Sequence, residues 1–90
     1  MAVMIIRHKV KDFAVWKRAY DAHKTTRDGA GLSNARLFRS ADDASEVVIL
    51  FDVADIGKAK AFGASADLQS AMKGAGVVDK ADVYFLNPAD

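Results

Sequence analysis

The chain contains no cysteine. Disulfides, thiolate zinc sites and a cysteine nucleophile are therefore excluded. It also lacks an excess of charge of either sign. Thirteen Lys and Arg stand against twelve Asp and Glu, and the net charge of +1 is too small for the electrostatic footprint of a DNA-, RNA- or membrane-binding surface. Long apolar runs are missing as well. The longest, Met1 to Ile6 and Val47 to Phe51, fall far short of the ~20 residues that span a bilayer. Arg7 follows the first apolar run instead of preceding it, the reverse of signal-peptide order, so a cytoplasmic protein is expected. Proline appears once, at Pro88, and histidine only twice, at His8 and His23.

Several reactive motifs are missing too. No glycine-rich phosphate loop joins a strand to a helix, since "DGAGLS" and "KGAG" lack both the flanking order and the lysine-serine ending. No serine sits in a nucleophile elbow. The two histidines have no suitably spaced carboxylate, and metal sites normally need three or more protein ligands. Neither a metal nor a cofactor is expected.

What is present suits a small globular domain. Ninety residues, 51% hydrophobic and 28% charged, leave room for one core and one domain spanning residues 1–90. "VMIIRHKV" at 3–10 is short and rich in β-branched residues, and reads as a strand. Asp12 then stands where an N-cap is wanted, and "FAVWKRAYDAHKTTR" follows with helical period until the glycines of "DGAG". "LSNARLFRS" at 32–40 and "EVVILFDV" at 46–53 read as strands joined by the turn "ADDAS". Asp55 caps a second helix to about Phe62, Ser65 restarts it, and Gly74 and Gly76 end it. "ADVYFLN" is the last strand.

The order β-α-β-β-α-β predicts an α+β, ferredoxin-like sandwich. It has a four-stranded antiparallel sheet, both helical segments on one face, and the first and third strands in the middle. A sheet covered on one face should alternate apolar and polar residues. Val47 to Phe51 and Val3 to Ile6 are instead apolar at both parities. The second face needs a cover, and a second copy of the chain is the simplest one. A homodimer is predicted.

At 100° per residue, Phe13, Trp16, Tyr20, His23 and Arg27 fall within about 80° of one another. The apolar stripe of the first helix thus runs on into a histidine and an arginine. Trp16 and His23 lie roughly 10 Å apart along the axis, a length that suits the wall of a small cleft. Two readings are open. His23 is a partly buried residue bonded to a carbonyl, with Trp16 and Tyr20 as core anchors and Arg27 complementing the helix dipole. Alternatively, His23 and Arg27 carry out acid-base chemistry on a molecule that Trp16 and Tyr20 hold. Of Arg7 and His8, one must face the helices and the other the far side of the sheet. Either could contact a bound molecule. Phe38, Phe51, Phe62, Leu68, Met72, Tyr84 and Phe85 read mostly as core, some of them also lining any cavity.

"RHKVKDFAVWKRAYDAH" at 7–23, Arg27, "RLFRSADDASEVVILFDV" at 36–53 and "FGASADLQSAMKGAGV" at 62–77 together resemble the dimeric α/β-barrel superfamily. The nearest part is the small proteins related to antibiotic biosynthesis monooxygenases. The resemblance covers nearly the whole chain. It implies a dimer whose sheets form a barrel and a pocket between each sheet and its own helices. It also implies cofactor-independent monooxygenase chemistry on an apolar or aromatic molecule as one activity. A non-enzymatic ligand-binding or structural dimer is the alternative. The haem-degrading branch uses an asparagine on the first strand and a histidine on the second helical segment. Here the matching part of the first strand holds Arg7 and His8, and the segment from 55 to 76 has no histidine. On this resemblance His23 and Arg27 are the candidate catalytic pair, and His8, Arg7, Trp16 and Tyr20 the candidate substrate contacts. The partners expected are a second copy and a small molecule, with neither nucleic acid nor membrane.

Overall fold

The structure is a computed structural model that describes residues 2–78 and 81–89. Its elements run β1 (Ala2–Lys9), α1 (Phe13–Ala22), α2 (Lys24–Gly29), β2 (Leu32–Arg39), β3 (Glu46–Val53), α3 (Ile56–Gly63), α4 (Ala66–Gly74) and β4 (Asp82–Leu86). The four strands form one antiparallel sheet in the order β2-β3-β1-β4, with the two most apolar strands central as predicted.

Three of the four helices start where a side chain takes up an orphan amide, and α2, which follows His23, has no such cap. Asp12 Oδ1 accepts from Ala14 N at 2.9 Å and Val15 N at 3.3 Å. Asp55 accepts from Lys58 N at 3.2 Å, and Ser65 Oγ from Leu68 N at 3.1 Å. The expected first helix is in fact two. His23 adopts φ −90°, ψ 4°, and its amide turns back to Ala19 O and Tyr20 O, so α1 closes there and α2 begins one residue later. The periodicity of the stripe passes through this break unaltered, which is why it read as one helix. Gly31, at φ +80°, makes the turn into β2, a conformation that an L side chain rarely adopts.

Register assigns the two faces of the sheet. Met4 pairs with Phe51, Ile6 with Ile49 and His8 with Val47, and all six are buried against the helices. Trp16, Ala59, Phe62 and Ala75 complete that core from the helical side. Burying each large side chain here is worth roughly 1.5–3 kcal/mol. The opposite face carries three rows of side chains. Arg36, Leu50, Ile5 and Tyr84 form one, Phe38, Val48, Arg7 and Asp82 the next, and Ser33, Asp52, Val3 and Leu86 the third. Phe38 and Tyr84 are each 54% exposed, which corrects their assignment to the core: both are on the edge strands and point away from the helices. A register shift between Ser33 and Arg36 bends β2, with Asn34 at φ 49° donating its side-chain amide to Asp52 Oδ2 at 3.1 Å.

Candidate functional site

The inward parity of β1 ends in a histidine. His8 is only 2% exposed and its ring meets Trp16 edge-on, with centroids 5.6 Å apart and planes at 72°. Trp16 is itself 3% exposed and belongs to a ladder along α1. Phe13 lies against it at 5.8 Å, and Tyr20 stacks on it at 5.0 Å with planes only 20° apart. The residues fall together because positions 13, 16 and 20 share one helical face. Arg27 adds the next rung from α2. Its guanidinium sits 3.8 Å above the Tyr20 ring and 5.9 Å from that of Phe51, and Nη1 donates to the backbone carbonyl of Tyr20. His23, at the break between the helices, approaches Phe62 of α3 at 6.1 Å.

These side chains border a cavity of about 60 Å³ between the sheet and the helices. His8, Trp16, Tyr20, His23 and Arg27 line one side, Ile6, Ile49 and Phe51 the sheet side, and Phe62, Leu68, Ala71, Met72 and Ala75 the side formed by α3 and α4. The lining includes a permanent cation and no carboxylate. Burial holds the Tyr20 hydroxyl above its ordinary pKa of 10.0, although Arg27 and Lys17 pull the other way, while Asp21 adds to the rise. Tyr20 is therefore a neutral hydrogen-bonding group at physiological pH. Among the described residues, no three His, Cys, Asp or Glu side chains gather as metal ligands, and no helix is long and apolar enough to cross a membrane.

No family model matches the sequence, and no curated protein matches it closely enough to count. The fold is another matter. An antibiotic biosynthesis monooxygenase superposes with a TM-score of 0.73 at 16% identity, covering 100% of both chains. A Bordetella bronchiseptica protein of the same provisional name gives 0.80 at 18% identity, covering 98% of this chain and 96% of that one. This chain has the antibiotic biosynthesis monooxygenase fold. The monooxygenase of ActVA-Orf6 from Streptomyces coelicolor, solved with nanaomycin D bound, shares that fold at a TM-score of 0.68 and 18% identity, over 99% of this chain and 88% of its own.

On this monooxygenase fold, five of the six residues singled out in the sequence come together: His8, Trp16, Tyr20, His23 and Arg27. Arg7 does not join them. It lies on the opposite face, with Nε 3.0 Å from Asp82 Oδ2 and Nη1 3.8 Å from Glu46 Oε2. The alternation of the strand separates the two neighbours, because His8 takes the side the helices cover. The α4 side was only partly foreseen. Leu68 and Met72 read as core or cavity lining from residue type, whereas Ala71 and Ala75 do not stand out. All four follow the i, i+3, i+4, i+7 spacing of one helical face, and that pattern would have identified them.

Proposed function

We propose that this protein is a homodimer that binds an apolar or aromatic small molecule in the cavity beside α1 and oxidises it without a cofactor. What carries this reading is the convergence of His23 and Arg27 on the same aromatic-walled cavity as Trp16, Tyr20 and His8. The monooxygenase fold supports it, as does the cofactor-independent oxygenase SnoaB from Streptomyces nogalater. That protein shares the fold at a TM-score of 0.71 and 12% identity, covering 98% of this chain and 94% of its own. In this scheme His23 accepts a proton from the bound molecule, and Arg27 holds the negative charge of that molecule, on an enolate or a carboxylate. Dioxygen is the oxidant: one of its atoms enters the product, and the other leaves as water with the two hydrogens that the substrate loses. The apolar rows on the open sheet face, with Leu86, Tyr84 and Phe38 about half exposed, support the pairing of two sheets.

The experiment is to follow oxygen consumption with simple phenols and hydroquinones in wild type and His23→Ala. Turnover is expected only in the wild type, with the variant still folded and dimeric. Equal turnover in both would remove His23 from the chemistry.

The near-complete burial of Trp16 and the capping of α1 by Arg27 favour a second reading, a binding or structural dimer without catalysis. In that case His23→Ala lowers the melting temperature, and candidate aromatics raise it in the wild type without turnover.

A further inference from the structure

The cavity has an unbalanced charge. Arg27 is 8% exposed, and its guanidinium has five N–H donors. Among the described residues its side chain makes one hydrogen bond, from Nη1 to Tyr20 O, and no ion pair. The acidic side chains nearest in sequence do not answer it. Asp21 is held by Lys17 at 2.6 Å and Asp28 by Lys24 at 2.8 Å, both on the outer surface of the helices. The other faces that Arg27 meets are the rings of Tyr20 and Phe51, which attract a cation but accept no conventional hydrogen bond. The other guanidinium nitrogens have no protein partner among the described residues and are not sealed from open space, so they stand ready for an anion that enters the cavity.

We infer that the occupant of this cavity is a monocarboxylate whose carboxylate pairs with Arg27 and whose hydrocarbon part lies among the surrounding rings. The inference rests on the proposed role of this cavity as a ligand site and narrows it to a charge. Carboxylate is the anion of choice because its two oxygens match the planar fork of a guanidinium, and because it is fully ionised at neutral pH. A phenol is not.

Trp16 is the only tryptophan and borders the cavity, so its fluorescence reports occupancy directly. The protein is titrated with butyrate, butyramide, benzoate and benzamide. The same series is run on Arg27→Met, which keeps an apolar stem, and on Arg27→Lys, which keeps the charge. Each acid is expected to bind at least tenfold more tightly than its amide. Arg27→Met erases the preference of acid over amide, and Arg27→Lys retains part of it. Equal binding of acid and amide by the wild type overturns the inference and leaves a neutral-ligand site standing. So does an acid preference that survives in Arg27→Met. Failure of all four compounds to perturb Trp16 overturns both the inference and the ligand-site reading beneath it. The acid-amide comparison in the wild type decides the matter even if Arg27→Met does not fold.

Discussion

Arg27 stacks on the ring of Tyr20 at 3.8 Å and donates to that same residue's backbone carbonyl. One side chain from α2 thus closes the aromatic ladder and satisfies a carbonyl at the end of α1, across the break at His23. The two interactions can be separated, because only the first depends on the Tyr20 side chain. In a double-mutant cycle of Tyr20→Leu and Arg27→Met, followed by urea unfolding, the coupling is expected at about 0.5–2 kcal/mol. A coupling near zero would mean that the stack adds nothing beyond the area it buries.

Tyr20 also gives the protein a signature in alkali. Burial raises its pKa in the folded state, so the native chain holds this proton more tightly than the unfolded chain does. The associated stability is complete below the unfolded value near 10 and is lost as the pH rises through the folded one. Tyr20→Phe has no such proton to lose. Its unfolding midpoint is expected to fall less steeply than that of wild type above about pH 10. Parallel curves would contradict the raised pKa.

Trp16 links the core to the cavity wall, with His8, Phe13 and Tyr20 all in ring contact. Trp16→Ala is expected to cost about 3–5 kcal/mol in chemical denaturation, and Trp16→Phe clearly less. A loss under ~1 kcal/mol for the alanine variant would show that the neighbouring rings collapse into the gap.

The open sheet face offers a sharp test of self-association. Leu50 and Ile5 stand side by side at its centre, flanked by Arg36 and Tyr84. Leu50→Lys places an unpaired ammonium in that row, and two opposed sheets would then bury two such charges. Sedimentation equilibrium is expected to give a dimer for wild type and a monomer for the variant. A dimer in both would locate the contact elsewhere on the surface.

At the start of α1, Asp12 bonds two amides through one oxygen. Asp12→Ala should lower stability by about 1 kcal/mol, and Asp12→Asn by much less, since either side chain offers the accepting oxygen. Thermal unfolding of the two variants side by side checks this.

Much of the scaffold could be read directly from residue types. Asp12, Asp55 and Ser65 announce their helices because a short polar side chain can reach back to a free amide wherever the neighbourhood is helical. The β-α-β-β-α-β order puts β1 and β3 at the centre of the sheet, since right-handed crossovers place the first and third strands side by side in the middle. The grouping of Trp16, Tyr20, His23 and Arg27 was visible for a similar reason: helical period is local and survives the break at His23.

Other features had no local signature. In a strand of period two, Arg7 and His8 are equivalent until something covers one face. The helices select the parity of Met4 and Ile6, and that choice buries His8 and sends Arg7 to Asp82 on the far side. Phe38 and Tyr84 were lost to the core by the same choice, as aromatic residue type says nothing about which face a strand turns outward. The order of the elements and the makeup of the helical stripe thus follow from short-range chemistry along the chain. The cavity and the guanidinium that borders it arise only when β1, α1, α2 and α4 pack together, because burial and charge balance depend on neighbours far apart in the sequence.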